Sequence, residues 1–311
     1  TVTGPLGDTV SASYAISDTT AVIEMAAASG LPLVEGRLDP VKANTYGTGE
    51  LVLHAVKSGA KQIILGLGGS CTTDGGCGMA AALGTRFTDS EDNEFVPCGG
   101  TLDKIAHIDT SETEALLRDV SVTAMCDIDN PMHGLNGAAY VFGPQKGADD
   151  ETVRILDAQL AALDRTITAE LGISVAEIPG AGAAGAMGAG CVAFLGAELK
   201  PGIETMLDIT DFDTLLDGTD YVFTGEGRID SQSTQGKTIS GIARRTAAAG
   251  VPLVAIVGEA RDGYEALYDM GLTSVFTINR LARDFSETRA YSRENYRKTF
   301  EDILRLIRAA D

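Results

Sequence analysis

The spacing of apolar residues predicts one long amphipathic helix in the middle of the chain. Between Asp150 and Leu171, apolar side chains recur every three or four residues, and Gly172 ends the pattern. This spacing places them on one face of an α-helix, with charged residues on the opposite face. The residues expected on the buried face are Ile155, Leu156, Leu160, Leu163, Ile167 and Leu171.

After Pro201, short apolar runs alternate with amphipathic segments. The expected strands are Tyr221–Thr224, Pro252–Val257 and Thr273–Ile278. The expected helices are Lys237–Ala249, Asp262–Met270 and Arg289–Ala309. Strands that alternate with helices form βαβ units, whose strands lie side by side in a parallel sheet with right-handed crossovers. The last third of the chain is therefore predicted to be a doubly wound α/β domain.

The first two thirds of the chain carry a less regular mixture of elements. The expected strands are Val10–Ile16, Ala21–Met25, Gln62–Leu67 and Val120–Cys126. The expected helices are Gly47–Ser58, Ser111–Arg118 and a small-residue helix that ends at Leu83. These segments predict a mixed α/β body, and we place the domain boundary between residues 200 and 201.

Composition narrows the classes of partner and compartment. The formal net charge of −20 repels phosphate backbones and anionic lipid headgroups, so neither nucleic acid nor a membrane is an expected partner. The five cysteines form no CxxC pair and no zinc-binding spacing, which favours a reduced, cytoplasmic compartment. An anionic substrate would need a local group of positively charged and hydrogen-bonding donors.

The first of three glycine-rich turns is Gly68–Gly76, directly after a predicted strand. Its glycines allow backbone N–H groups to converge, and Ser70, Thr73 and Asp74 add hydroxyls and a carboxylate. This mixture is typical of a site for a phosphate or a hydroxy acid. The alternative is a structural turn in which Asp74 caps the following helix. The sequence leaves both interpretations open.

The second turn, Gly180–Gly185, matches the GxGxxG pattern of dinucleotide-binding folds. It would support an alternative function, an NAD(P)-binding oxidoreductase. The preceding strand candidate is short and ends in Pro179, and no acidic residue follows a convincing strand at the expected distance. Close helix packing through small residues is therefore the favoured interpretation.

The third turn runs from Thr224 to Asp230 and continues through Gln235 to Thr238. Gly236-Lys237-Thr238 resembles the end of a Walker A loop, but Ser231 stands where that motif requires glycine. A helix N-terminus, one lysine and one hydroxyl nevertheless favour a phosphate. Arg228 adds a guanidinium group, which can donate two parallel hydrogen bonds to a phosphate. Glu226 and Asp230 are candidate metal ligands. The alternative is a surface loop with solvated charges.

Two further segments contain residues that could bind a metal ion or a substrate. Asp127 and Asn130 precede Pro131 after a predicted strand and offer the oxygen ligands that Mg²⁺ prefers. Lys146 lies in the constrained turn Gly143–Gly147. Either segment alone is also compatible with an ordinary turn.

Taken together, these segments resemble bacterial glycerate kinases of the type that acts in glyoxylate and sugar-acid utilisation. The similarity follows the family's order from the first residues to about Gly258. The matching stretches are Thr3–Gly7, Ala21–Gly30, Thr45–Glu50, Gly68–Gly76, Cys126–Pro131, Gly143–Gly147, Pro179–Gly188, Thr224–Asp230 and Gln235–Lys237.

The resemblance implies two domains with the active site between them, ATP and Mg²⁺ as cosubstrates, and phosphoglycerate as product, with 2-phosphoglycerate favoured over 3-phosphoglycerate. It implies that residues 1–200 form an inserted domain and that residues 201–311 form the C-terminal part of a flavodoxin-like domain. The family's N-terminal strand–helix unit, with its Asp-Ser-Phe-Lys-Gly and Asp-Gly-Gly-Glu-Gly type loops, has no counterpart here. A truncated, non-catalytic remnant of the family is therefore a further alternative, and a homodimer stays open.

Residue chemistry and loop position assign a role to each candidate. Asp74 or Asp127 would orient and deprotonate the attacking hydroxyl of glycerate, and Glu226 and Asp230 would order Mg²⁺ or the phosphate loop. The residues expected to bind substrate or phosphate are Ser70, Thr73, Asn130, Lys146, Arg228, Gln235 and Lys237.

Overall fold

The computed structural model describes residues 1–234, 237–281 and 285–310. The chain divides into two compact units, Thr1–Gly202 and Ile203–Asp311. Each unit contains a parallel sheet with helices, so the predicted α/β class is confirmed. That the first unit is inserted within a flavodoxin-like domain stays a prediction. None of the described helices combines the length and the apolar character that a membrane crossing requires.

The first unit contains nine strands and seven α-helices among its described residues. The strands are β1 (Val2–Thr3), β2 (Thr9–Val10), β3 (Ala15–Ser17), β4 (Thr20–Glu24), β5 (Gln62–Gly66), β6 (Arg86–Thr88), β7 (His107–Asp109), β8 (Ser121–Met125) and β9 (Glu198–Lys200). The helices are α1 (Ala26–Ser29), α2 (Tyr46–Lys57), α3 (Cys77–Ala82), α4 (Ser111–Leu117), α5 (Ala138–Phe142), α6 (Asp150–Leu171) and α7 (Ala183–Leu195).

A five-stranded sheet with the order β3-β4-β5-β8-β9 forms the centre of this unit. β4, β5, β8 and β9 are parallel, and β3 is antiparallel at one edge. In β5 the consecutive residues Ile63, Ile64 and Leu65 are all buried, because both faces of a parallel sheet are covered. The strand predicted over Val10–Ile16 is wrong: the chain leaves its pairing with β1 after Val10 and pairs with β4 only from Ala15.

Helix α6 has the predicted bounds and packs against the core along one face. Asp149 caps it by accepting a hydrogen bond from the Thr152 N–H at 2.8 Å, and Gly172 ends it in a left-handed conformation. Ile155, expected on the buried face, is 46% exposed. Leu156, Leu160, Leu163 and Ile167 are buried as predicted, Val153 is buried beside them, and Leu171 is half-buried.

The second unit contains the remaining elements. Its strands are β10 (Val222–Thr224), β11 (Arg228–Ile229), β12 (Leu253–Val257), β13 (Glu259–Ala260) and β14 (Leu272–Thr277). Its helices are α8, which begins at the last residue of the first unit (Gly202–Ile209), α9 (Phe212–Leu215), α10 (Thr238–Ala249), α11 (Ala266–Asp269), α12 (Phe285–Thr288) and α13 (Ser292–Ala310).

The three strands predicted to be parallel neighbours are confirmed, in the order β10-β12-β14. All five residues of β12 are buried: Leu253, Ala255 and Val257 belong to one apolar cluster, and Val254 and Ile256 to another. The hand of the crossovers stays a prediction. The helix predicted over Asp262–Met270 is only α11, because Gly263 adopts a positive φ that breaks its first turn.

Candidate active site

The loops that follow β5 and β8 line a cavity in the first unit. The two strands are parallel neighbours, with Gly66 opposite Met125, so both loops leave the sheet at the carboxyl ends of its strands, where α/β proteins commonly bind ligands. The cavity has a volume of about 280 Å³. It is lined by Leu67, Gly68, Gly69, Ser70, Met125, Cys126, Asp127, Ile128, Phe142, Gln145, Lys146, Ala183 and Ala184. The structure therefore brings together Ser70, Asp127 and Lys146 from three separate predicted segments.

Lys146 is the buried cation of this cavity. It ends the short 3₁₀ turn Pro144–Lys146, which Gly147 terminates with a φ of 96°. Its side chain is only 1% exposed, and its ammonium group donates a hydrogen bond to the carbonyl oxygen of Thr72. Burial lowers the pKa of Lys146 to about 8, against the opposing charges of Cys71 and Asp74. The other two ammonium hydrogens have no partner among the described residues, so they are available to an anion.

Asp127 supplies a carboxylate at the mouth of the cavity. One carboxylate oxygen, Oδ1, accepts a hydrogen bond of 2.7 Å from the backbone N–H of Gly202. The second oxygen has no hydrogen-bond partner within the part of the chain that the structure describes. Asp127 is itself solvent-exposed. The carboxylate is thus held at one oxygen and open to a ligand at the other.

The loop after β5 adds uncharged donors. The hydroxyl of Ser70 makes no hydrogen bond to any described residue, although Ser70 is only 5% exposed. The backbone N–H groups of Gly68 and Gly69 also lack partners in residues 1–234, 237–281 and 285–310. Together with Lys146, this loop offers several free donors around a small volume, an arrangement suited to a carboxylate or a phosphate.

Asp74 lies outside the cavity lining and has a structural environment. Its side chain is fully buried, and Oδ2 accepts hydrogen bonds from the N–H and hydroxyl of Thr45 at 2.8 Å each and from the Gly78 N–H at 3.1 Å. Oδ1 accepts from the Gly76 N–H at 3.3 Å. Burial raises the pKa of Asp74, and these hydrogen bonds oppose the shift. The geometry favours the capping interpretation of Asp74 and leaves Asp127 as the better-placed carboxylate.

The two remaining predicted residues of this unit are less well placed for a ligand. The Thr73 hydroxyl is buried without a hydrogen-bond partner, and Thr73 is not among the cavity-lining residues. The Asn130 side-chain amide donates to the carbonyl oxygen of Asn136 at 2.8 Å, which fixes the loop after β8. Neither residue lines the cavity.

A strained turn that the sequence did not predict completes the cavity wall. Ala184, Gly185 and Ala186 all have positive φ, at 58°, 73° and 66°. A Cβ atom on Gly185 would lie 2.0 Å from the Thr72 carbonyl oxygen, and one on Gly182 would lie 2.2 Å from that of Pro131. Only glycine fits at these two positions. Consecutive left-handed residues cost free energy and cluster at functional sites, but alanine carries no sequence signal for them.

The same geometry explains the GxGxxG pattern at Gly180–Gly185. Between β8 and β9 the structure, which describes all residues there, has no strand ahead of the pattern, so the βαβ context of a dinucleotide fingerprint is absent. Helix α7 (Ala183–Leu195) contains the left-handed turn Ala184–Ala186 near its start, and it buries most of its residues, as the packing interpretation predicts. These glycines serve close backbone packing.

In the second unit, the loop after β10 holds four predicted residues close to one another. Arg228 Nε donates to Asp230 Oδ2 at 3.1 Å, and Asp230 Oδ1 accepts from the Gln232 N–H at 2.9 Å. Glu226 Oε2 accepts from the Ser233 hydroxyl at 3.2 Å. Lys237 immediately precedes α10, and its ammonium group is 3.4 Å from Gln232 Oε1. Gln235 lies outside the described residues.

The second unit also has a larger pocket, of about 520 Å³, at the carboxyl ends of its strands. Arg228 lines it, whereas Glu226, Asp230 and Lys237 do not. No group of three or more His, Cys, Asp or Glu side chains among the described residues could hold a metal ion. That the loops of the two units face one shared cleft stays a prediction.

Comparisons with known proteins give a consistent result. A model of the glycerate kinase family matches residues 1–308. A glycerate kinase of Halalkalibacterium halodurans is 49% identical over 280 residues, which cover 89% of this chain and 74% of that protein. One from Bacillus cereus is 45% identical over 305 residues, covering 97% and 80%. The glycerate 2-kinase of Escherichia coli is 45% identical over 280 residues, covering 89% and 74%.

A solved structure shows the same fold. The crystal structure of a protein assigned as glycerate kinase 2 of Salmonella typhimurium LT2 superposes with a TM-score of 0.85 at 40% sequence identity. The match covers 99% of this chain and 82% of that one.

Proposed function

The chain belongs to the glycerate kinase family and is an enzyme of that kind, and on this premise we propose that it transfers the γ-phosphoryl group of ATP to D-glycerate, with 2-phosphoglycerate as the favoured product. The observation that carries the proposal is the cavity at the carboxyl ends of β5 and β8. It places a buried lysine, free loop donors and a half-open carboxylate around a volume of about 280 Å³.

In this proposal, Lys146 and Ser70 bind the carboxylate of glycerate. A buried ammonium group forms charge-assisted hydrogen bonds that are stronger than neutral ones, because the surrounding dielectric is low. The partnerless N–H groups of Gly68 and Gly69 would add backbone donors without adding bulk. A local cluster of this kind overcomes the repulsion that a chain of net charge −20 exerts on an anion.

Asp127 acts as the general base. Its free oxygen would accept the proton of the attacking hydroxyl, while the Gly202 N–H keeps the carboxylate oriented. Positioning and charge stabilisation account for most of the catalysis in phosphoryl transfer. The 2-hydroxyl is adjacent to the carboxylate that Lys146 would hold, and the name of the E. coli relative, glycerate 2-kinase, supports the same choice.

ATP is the phosphoryl donor in this proposal, and Arg228 and Lys237 in the loop after β10 would bind its phosphates. Mg²⁺, the expected companion of the nucleotide, is usually held by one or two carboxylates together with phosphate oxygens and water. Glu226 and Asp230 fit that pattern only in part, because their oxygens accept hydrogen bonds from Ser233, Arg228 and Gln232. No step here depends on the ion. We place the enzyme in the cytoplasm.

The test is an assay of ADP release that depends on both ATP and D-glycerate, with the product identified by ³¹P NMR. Asp127→Asn should lower kcat by about 10²–10⁴, the usual contribution of general acid–base catalysis. The matched control is Asp129→Asn, since Asp129 is exposed and does not line the cavity.

Four results would contradict the proposal in whole or in part. Wild-type protein without glycerate-dependent ADP release would favour the non-catalytic remnant, and equal kcat values for Asp127→Asn and wild type would remove Asp127 from the reaction. Micromolar NAD binding would restore the oxidoreductase alternative. A 3-phosphoglycerate product would reverse the choice of hydroxyl alone.

A further inference from the structure

We propose that the larger pocket of the second unit is a polyphosphate-binding site, in which Arg261 and Arg228 together bind the phosphate chain of a nucleoside triphosphate. This inference rests on the proposed use of ATP and adds to it a residue, Arg261, that no sequence motif indicates. The pocket holds about 520 Å³ and lies beyond the carboxyl ends of β12 and β14.

Strand geometry brings the two arginines onto one wall. β11 and β13 pair in parallel, with Arg228 opposite Glu259, and the Arg261 N–H continues the ladder by donating to the Ile229 carbonyl oxygen at 2.9 Å. Residues paired across strands, and residues two apart along a strand, point to the same face. Arg228, Glu259 and Arg261 accordingly all line the pocket.

Each guanidinium group is anchored at one nitrogen and open at its end. Arg228 Nε donates to Asp230 Oδ2 at 3.1 Å, and Arg261 Nε donates to Glu259 Oε1 at 2.9 Å. The terminal nitrogens of both arginines have no partner in the described ranges. An oriented guanidinium with free terminal N–H groups matches the bidentate geometry of phosphate. The two anchoring carboxylates therefore preorganise the arginines.

The rest of the pocket lining is largely polar. Ser292 and Asn295 belong to the first turn of α13, a helix of 19 residues, and both line the pocket with Asn279. Among the described lining residues Glu259 is the single carboxylate beside two arginines. Asp230 and Glu259 balance the charge of the two arginines, so an anion would be bound through the free terminal N–H groups and not by a net positive charge.

The size of the pocket favours a polyphosphate over glycerate. It is nearly twice as large as the cavity of the first unit, at about 520 against 280 Å³. Two guanidinium forks can each engage a different phosphate group, whereas a single carboxylate would satisfy only one. A phosphate chain is therefore the ligand that uses both arginines.

The test measures binding of tripolyphosphate and of ATP by calorimetry, with wild type and four variants. We expect Arg261→Ala and Arg228→Ala each to weaken the binding of both ligands about tenfold or more, because each removes charge-assisted hydrogen bonds to phosphate. Arg261→Lys keeps the positive charge but loses the paired N–H donors of the guanidinium group. Its affinity for both ligands should lie between that of the alanine variants and that of wild type. Arg297→Ala is the matched control, because Arg297 is exposed, pairs with Glu301 and does not line the pocket.

The outcomes separate this inference from the proposed function. Arginine-dependent tripolyphosphate binding in a protein that does not phosphorylate glycerate would uphold the site and contradict only the proposed activity. The site is refuted if wild type binds neither ligand. It is also refuted if both arginine-to-alanine variants, with unchanged thermal melts, bind tripolyphosphate and ATP as tightly as Arg297→Ala does.

Discussion

The two glycine-rich loops that carry most of the predicted site residues are similar in composition but are held by different interactions. In the loop Gly68–Gly76, residues 70 to 76 are buried, and Asp74 ties it to the starts of α2 and α3 through four hydrogen bonds. In the described part of Thr224–Lys237, the loop after β10, charged side chains bond one another at the surface.

The first loop is held by buried hydrogen bonds, whereas the second mainly presents charged side chains to solvent. The first loop forms a small cavity whose one buried cation, Lys146, has little freedom to move. The second presents arginines that neighbouring carboxylates orient but that water screens. A buried polar network is strong when it is fully satisfied and costly when it is broken, whereas exposed ion pairs contribute little. The predicted consequences differ accordingly between stability and activity.

The largest expected effect is on the stability of the first loop. Asp74→Ala would leave three backbone N–H groups and the Thr45 hydroxyl without their buried acceptor, at about 1–3 kcal/mol for each unsatisfied group. We expect the free energy of unfolding to fall by about 3–5 kcal/mol. Asp230→Ala in the second loop should cost less than about 1 kcal/mol, because it breaks a partly exposed pair.

Chemical denaturation of wild type and of both variants gives the loss in the free energy of unfolding for each loop. Equal losses would show that the two loops do not differ in the way their hydrogen bonds indicate. A loss below about 1 kcal/mol for Asp74→Ala would mean that the loop does not need its buried carboxylate.

The next effect is on glycerate binding by Lys146. Lys146→Met keeps the apolar stem and removes the charge, so KM for glycerate should rise about ten- to a hundredfold. The melting temperature should hold or rise, because a buried charge no longer has to be desolvated. Lys57→Met, at the exposed end of α2, is the control and should change neither quantity.

A pH series sharpens the test of Lys146. Its pKa is lowered from 10.5 to about 8 by burial, so the native protein loses this proton at lower pH than the unfolded chain does. Between about pH 8 and 10.5 the unfolded state binds more protons, and this lysine's contribution to stability therefore rises with pH. Affinity for the anion should fall over the same range. A KM for glycerate that stays flat from pH 7 to 9.5 in wild type would contradict the role of Lys146.

Helices and strands were predicted well where the spacing of apolar residues is regular. They were predicted less well where tertiary contacts determine the backbone conformation. Helix α6 has the predicted bounds, because its spacing, the Asp149 cap and Gly172 all agree. The three parallel strands of the second unit were also predictable, as short apolar runs between helices. The start of the helix predicted over Asp262–Met270 was not, since Gly263 adopts a positive φ that the spacing of apolar residues does not reveal.

The site was predictable in its segments but not in its geometry. Composition identified the loops that hold Ser70, Asp127 and Lys146, yet nothing in the sequence showed that three distant segments share one cavity. Asp74 and Asp127 carry the same side chain in similar loops, so the sequence cannot distinguish them. Asp74 is buried and caps a helix, whereas Asp127 is an accessible carboxylate. Arg261 lay in no motif, because its place depends on pairing between β11 and β13.

The smallest expected effect concerns Lys237, the exposed residue immediately before α10. If it binds a nucleotide phosphate, Lys237→Ala removes one screened charge contact worth roughly 1 kcal/mol, so kcat/KM for ATP should fall about fivefold. A lysine at a helix N-terminus is also disfavoured by the helix dipole, so the variant should gain about 0.3–1 kcal/mol of stability whether or not the lysine binds phosphate. Kinetics and a thermal melt on the same preparation therefore separate the two effects. A stability gain with unchanged kcat/KM would show that Lys237 is an ordinary surface lysine and would leave Arg228 and Arg261 to hold the phosphates.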